Sequence, residues 1–168
     1  LHPTQALTGG RRAIRTRLTL TNLMRGLCLE LNEGLATLPA LLPTQTDLGY
    51  VGYPEGGFYE RHIDVERHID GGVRREVSVL LYLNSGWEAA WGGQLRIYGG
   101  DSLEPAVDVT PEGGTLVLMR SDRVAHEVLP TLRPRHCVVG WLRCEARAKN
   151  FGGAHDSARK VVGEPTRA

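Results

Sequence analysis

Lysine is almost missing from this chain, occurring only at Lys149 and Lys160, and the basic residues are otherwise arginines that the acidic ones nearly cancel, leaving a net charge of +1. No basic block stands out, and aromatic residues make up only 6% of the sequence, so an extended nucleic-acid surface is not expected. Cysteine is scarce as well. Cys28, Cys137 and Cys144 are an odd number and form no CxxC pair, which argues against structural zinc, thiol exchange and a disulfide framework, and favours a reducing compartment. No apolar run approaches the ~20 residues that cross a bilayer, and no secretion signal opens the chain, so a cytoplasmic protein without a membrane role is expected. Because the sequence opens on Leu1 and not Met, an N-terminal element is expected to be missing.

What is abundant is glycine and proline, at 21 and 9 of 168 residues, beside a hydrophobic fraction of 41%. That mixture suits a strand-and-turn protein of one domain, large enough to bury roughly two-thirds of its unfolded surface. Residues 1–17 are polar, broken by Gly9-Gly10 and rich in arginine, and read as a loop or tether. From Thr21, Leu23, Met24, Leu27, Leu31 and Leu35 recur at three- and four-residue steps, the period of a helix face, with Cys28 on the same apolar surface and Pro39 and Pro43 as its stop. Short β-rich runs follow at 48–53, 58–64, 75–83, 94–98, 106–109, 115–119, 125–129 and 135–142. Strands this short and this close, with no helix between them, predict antiparallel sheets: a mainly β protein with a flanking helix, folded as a double-stranded β-helix or jelly-roll barrel. The expected organisation is an N-terminal polar segment (1–20), a core domain (21–143) and a C-terminal tail or lid (144–168), with a short helix near 157–162. The tetrapeptide Pro-Glu-Gly-Gly occurs at 54–57 and again at 111–114, and both copies read as turns.

Chemistry concentrates in the run 58–64. His62 and Asp64 are two residues apart, so on a strand both side chains leave the same face and can grip one ion. His126 offers a third ligand, and two histidines with one carboxylate form the facial set of non-haem iron(II) oxygenases, which leaves coordination positions for a 2-oxo acid and O2. The far carboxylate of 2-oxoglutarate would need a buried, bidentate cation, and Arg135 fits, on a strand whose odd positions Arg135, Cys137, Val139 and Trp141 share one face. Tyr82 and Tyr53 are available as further donors, Tyr53 near the metal-chelating end. An HxD pair alone is more often a solvated strand edge; the ordered His126 and Arg135 give it weight. Arg67-His68-Ile69-Asp70 repeats the same residue types, but Gly71-Gly72 follows it directly, and Arg133 competes with Arg135 from what reads as a loop. His136, alternating with Arg135, should face away from the pocket. Trp87 and Trp91 flank a loop and read as packing or a substrate-facing pair.

From 48 to 143 the chain resembles the prolyl 4-hydroxylase group of 2-oxoglutarate oxygenases, in particular the hypoxia-sensing prolyl hydroxylase domains and their bacterial relatives. The resemblance is carried by Tyr53-Pro54, by 57–64 ending in His62-Ile63-Asp64, by Tyr82-Leu83-Asn84-Ser85-Gly86-Trp87, and by Gly92-Gly93-Gln94-Leu95-Arg96-Ile97-Tyr98. Ser121-Asp122-Arg123, His126-Glu127-Val128, Arg135 and Trp141 complete it. It implies that His62, Asp64 and His126 bind Fe(II), that Arg135 and Tyr82 hold the 2-oxoglutarate tail, that Tyr53 touches the co-substrate and that Arg75 touches a peptide substrate. It departs from that group at Val139, where the hypoxia-sensing enzymes carry Thr, and in the shorter segment before Thr21.

The resemblance further implies a peptidyl-proline 4-hydroxylase consuming O2 and 2-oxoglutarate, releasing succinate and CO2, with ascorbate as an accessory reductant. Its partner would be a proline-containing protein or peptide, for bacterial relatives a translation factor such as elongation factor Tu, and a monomer is expected. Two other readings keep the same residues: the same chemistry on a free amino acid or other small molecule, and a non-catalytic module that senses iron and 2-oxoglutarate.

Overall fold

A computed structural model describes residues 11–65, 72–99 and 105–146. The chain runs through α1 (Arg11–Gly34), β1 (Leu41–Tyr53), β2 (Tyr59–His62), β3 (Val73–Tyr82), β4 (Leu95–Tyr98), β5 (Pro105–Val109), β6 (Leu116–Arg120), β7 (His126–Val128) and β8 (Arg135–Glu145). The strands form two four-stranded antiparallel sheets, ordered β1-β8-β3-β6 and β2-β7-β4-β5. This is the mainly β, two-sheet arrangement that the spacing of the runs predicts, with every expected run forming a strand.

Period-two alternation divides the larger sheet between two cores. Leu80 and Tyr82 of β3 and Cys137 of β8 face the smaller sheet, where they pack with Leu95, Met119 and Val128. The alternate residues Val77, Val79, Leu142 and Cys144 face the other way and are covered by Met24 and Cys28 of α1, with Leu27 and Leu31 beside them. The helix is clamped at its far end: the Asn32 amide donates to the Leu41 carbonyl at 2.9 Å, and its oxygen accepts from Leu41 N–H at 2.8 Å. Buried Glu76, which no periodicity singled out, lies 2.6 Å from Arg74 Nη2 and 2.5 Å from Arg120 Nη2.

The N-terminal boundaries differ from expectation. The helix begins at Arg11, where a tether was expected up to residue 17 and a helix only from Thr21. Arginine is a good helix former, and this first stretch extends the helix without an apolar period, with Ile14 and Leu18 exposed. Leu23 and Leu35 are exposed too, so the apolar stripe is narrower than predicted. The helix ends at Gly34, before either proline, and Pro43 lies within β1. A proline is tolerated there because β1 is a sheet edge and its pairing with β8 is irregular between Leu41 and Thr46. Both Pro-Glu-Gly-Gly copies are turns, with Gly56 and Gly114 at φ of 77° and 87°. The second Arg-His-Ile-Asp copy and the expected helix near 157–162 lie outside the described residues.

The β1–β8 pairing depends on one absent methyl group. A Cβ at Gly140 would stand 2.3 Å from the Asp47 carbonyl oxygen and 2.6 Å from Leu48 Cδ2, whereas one at Gly49 meets nothing closer than the Val139 carbonyl at 4.0 Å. Gly140→Ala must therefore push two backbones apart, and it should lower stability by at least about 2 kcal/mol, roughly 5 °C in melting temperature. Gly49→Ala should stay within about 1 kcal/mol of the parent. Thermal melts of both variants check this; equal effects would show that the strands can absorb the methyl.

Candidate active site

The barrel brings distant residues together through strand register. His62 and His126 are cross-strand partners in β2 and β7, with ring centroids 4.3 Å apart. Asp64 lies just past the end of β2, two residues on from His62 and on the same side. The side-chain ligand atoms of His62, Asp64 and His126 all lie within 4.8 Å of one another, the metal-competent cluster among the described residues.

Backbone carbonyls set the state of both imidazoles. His62 Nδ1 is 2.8 Å from the Glu60 carbonyl oxygen and His126 Nδ1 is 3.0 Å from that of Val124. A carbonyl only accepts, so each Nδ1 carries a proton and donates it, which leaves each Nε2 as the potential ligand atom. Both Nε2 atoms turn towards Asp64, His62 to Oδ1 at 3.3 Å and His126 to Oδ2 at 3.9 Å. Burial by itself would depress the His62 pKa, but the bonds to Asp64 and to the Glu60 carbonyl outweigh it and hold it above its ordinary value. At His126 burial prevails and keeps the pKa below the ordinary value. Burial would raise the Asp64 carboxyl, but hydrogen bonds from His62, Ser78 and Trp141 and the neighbouring His126 hold it well below the usual carboxylate range.

A second group of residues faces the same interior. Arg135 is fully buried at the start of β8, directly across from Tyr53 on β1, and its guanidinium lies 5.0 Å from the ring centroids of both Tyr53 and Tyr82. Its Nε donates to the Gly93 carbonyl at 2.8 Å and its Nη1 contacts Cys137 Sγ at 3.6 Å. Gly93 must be glycine here: its φ is +70°, and a Cβ would stand 3.0 Å from Thr131 Oγ1 and 3.2 Å from Arg135 Cδ. Among the described residues no carboxylate pairs with Arg135, and its Nη2 and the Tyr82 hydroxyl are buried without a hydrogen-bond partner. Burial pushes the Tyr82 and Tyr53 hydroxyls up to about 12 against the pull of the Arg135 charge, so both stay protonated donors at neutral pH. A buried guanidinium with a free donor beside a free phenol is costly unless an anion joins it, which fits the tail carboxylate of a dicarboxylic acid. Two imidazole nitrogens and a carboxylate oxygen likewise fit a divalent first-row metal.

The structure separates the residues that the sequence left in competition. Arg133 is exposed and stacks on Trp91 at 4.3 Å, outside the barrel. His136 faces away from the pocket, its Nδ1 2.6 Å from the Tyr50 hydroxyl. Tyr53 lies with its ring centroid 5.0 Å from the Arg135 guanidinium and feels the Asp64 charge as well. Trp87 and Trp91 pack edge to face. Arg75 sits at the metal end, its guanidinium 3.6 Å from the centroid of the Trp141 ring. Trp141 Nε1 donates to Asp64 Oδ2 at 3.1 Å, a contact that no spacing in the sequence revealed. Ser78 was missed as well. Its signal was a polar residue on the inward face shared with Leu80 and Tyr82, in an otherwise apolar run.

Similarity to known proteins points the same way. The chain is 34% identical over 109 residues to Egl nine homolog 1 of Rattus norvegicus and of Homo sapiens, covering 60% of this chain and 31% and 24% of those proteins. It thus spans a third or less of the length of these curated relatives. A crystal structure of a Pseudomonas putida prolyl-4-hydroxylase matches with 40% identity and a TM-score of 0.62, over 76% of this chain and 65% of that one. A Trichoplax adhaerens prolyl hydroxylase, in complex with a hypoxia inducible factor oxygen degradation domain peptide fragment, matches with 30% identity and a TM-score of 0.64, over 80% of this chain and 59% of that one. The family model of the 2OG-Fe(II) oxygenase superfamily matches residues 48–143, a span that holds the His-Asp-His cluster and Arg135, and the chain belongs to that superfamily.

Proposed function

We propose that this chain is a 2-oxoglutarate dependent dioxygenase that hydroxylates a prolyl residue within a protein or peptide. One observation carries the reading: a three-ligand cluster with both imidazole Nε2 atoms available shares a barrel with a buried, anionless Arg135 and an unpartnered Tyr82 hydroxyl. In this reading His62, Asp64 and His126 hold iron(II), Arg135 and Tyr82 hold the tail carboxylate of 2-oxoglutarate, and Tyr53 packs on the same guanidinium. When bound, the metal and co-substrate supply the oxidation, splitting O2 between succinate, formed with loss of CO2, and the hydroxyl placed on the substrate carbon.

The protein's own work is orientation and exclusion of water. The Glu60 and Val124 carbonyls fix the imidazole tautomers, and Ser78 and Trp141 hold the Asp64 carboxylate. Leu80, Val128 and Met119 make the interior apolar, so that a charge at Arg135 is felt strongly. In the same reading Arg75, stacked on Trp141 beside Asp64, contacts the substrate, and its nearness to Asp64 supports this. Likeness to prolyl hydroxylases, one of them solved with a peptide, supports a peptidyl proline over a free amino acid. Elongation factor Tu is the first protein to test.

Proline-containing peptides should stimulate succinate formation well above the rate without substrate and gain one oxygen on proline by mass spectrometry, whereas free proline should do neither. Equal stimulation by free proline would favour a small-molecule oxygenase, and metal and 2-oxoglutarate binding without any turnover would favour a sensing module. Arg135→Gln should weaken 2-oxoglutarate by about 3 kcal/mol, roughly 100-fold, because it leaves a carboxylate buried beside a neutral group. Its Mn(II) affinity should stay close to that of the parent, and isothermal titration with each ligand reads the difference.

The two imidazoles give a further expectation. His62, with its raised pKa, is the first of the three groups to take up a proton in competition with a metal as pH falls, whereas the pKa of His126 is lowered and that of Asp64 is held well below the usual carboxylate range. Mn(II) affinity should therefore fall as pH drops, by about tenfold per pH unit once His62 protonates, steepening only below the ordinary imidazole range where His126 joins. Mn(II) titrations from about pH 5.5 to about pH 8 read this slope. A two-proton slope throughout would show that both histidines titrate together.

A further inference from the structure

Ser78 and Ser121 are fully buried hydroxyls on adjacent strands of the larger sheet, Ser78 in β3 and Ser121 one residue past β6. Ser78 Oγ lies 2.6 Å from Asp64 Oδ2, and Ser121 Oγ lies 2.8 Å from Ser78 Oγ. Proton accounting gives this chain a direction. An ionised carboxylate only accepts, so Ser78 donates its one proton to Asp64. Towards Ser121 it can then only accept, and Ser121 must donate. Trp141, the cross-strand partner of Ser78, donates to the same Oδ2 at 3.1 Å. Oδ2 is thus occupied by two donors and lies 3.9 Å from His126 Nε2, while Oδ1, which accepts from neither donor, is turned to His62 Nε2 at 3.3 Å.

We propose that Ser78 is a positioning residue which, polarised by Ser121 and assisted by Trp141, ties down Asp64 Oδ2 so that the carboxylate binds metal through Oδ1 alone. The idea rests on the metal-binding role proposed above. Its consequence is a fixed coordination number: swinging Oδ2 onto the metal would break two buried hydrogen bonds, so the positions needed by co-substrate and O2 stay open. The Ser121-Asp122-Arg123 motif thereby acquires a role through its first residue. The competing explanation is that the two serines only satisfy each other's burial, in which case neither should affect the metal.

Mn(II) titration with electron paramagnetic resonance, alongside thermal melts, distinguishes these for the parent, Ser78→Ala, Ser121→Ala, the double variant and Ser78→Thr. Ser78→Ala should weaken Mn(II) by about 10- to 100-fold and alter the spectrum of the bound ion, and Ser78→Thr, which keeps the hydroxyl, should recover most of that loss. Ser121→Ala should weaken it by about 3-fold, and the double variant should be no worse than Ser78→Ala, because Ser121 acts only through Ser78. Parent-like affinity in Ser78→Ala, or losses that multiply in the double variant, would overturn the proposal. If Ser78→Ala does not fold, Ser121→Ala decides: weakened Mn(II) at the parent's melting temperature supports the relay, and unchanged affinity overturns it. A parent chain that binds no Mn(II) would instead sink the function proposed above, and this role with it.

Discussion

Strand β8 is the constraint on which the site depends. It is paired along its length to β1 on one side and β3 on the other, so its register cannot slip without turning every side chain to the opposite face. That single register places Arg135, Cys137, Val139 and Trp141 inward and Leu142 and Cys144 towards the helix. One strand therefore delivers both the buried cation at one end and the indole that holds Asp64 at the other. Its neighbours inherit the order: Tyr53 lies across from Arg135 on β1, Tyr82 across from Cys137 and Ser78 across from Trp141 on β3. The smaller sheet needs only one corresponding match, His62 against His126.

Electrostatics explains why such an interior can exist. A buried guanidinium and a half-buried carboxylate face the same interior without pairing, which is unfavourable unless ligands complete the balance. In the proposed complex, iron(II) brings two positive charges and 2-oxoglutarate two negative ones, and with Asp64 and Arg135 the formal charges sum to zero. Each ionic partner has a counterpart at its own end, and the phenols, kept protonated by burial, serve as donors that add no charge.

Much of this was legible because it is periodic or local. Eight runs of alternating residues announced eight strands, and the two-residue step from His62 to Asp64 announced a shared face. Arg135 was legible because an inward strand position demands a reason for a charge. The less legible parts are those with no period. The first turns of α1 leave Ile14 and Leu18 exposed and carry no apolar stripe to mark them, and Pro43 looks like a stop until β1 is known to be an edge strand. Ser78, Ser121 and Glu76 are single polar residues, each with a partner 14 or more positions away; only the folded register shows whether a buried hydroxyl or carboxylate has something to hold.

The same distinction bears on how the site evolves its precision. Candidate ligands can be recognised from residue type because a metal demands histidine and carboxylate chemistry, but their geometry is set by groups that many residue types could supply. The Glu60 and Val124 carbonyls fix the imidazole tautomers whatever side chains those two positions carry, and Gly93 shapes the Arg135 pocket by having none. Orientation at this site is therefore a property of backbone path and strand register more than of conspicuous side chains. A substitution that shifts β3 against β8 would then disturb Asp64 as surely as one made in the candidate ligands, since Ser78 and Trp141 hold it from those two strands together.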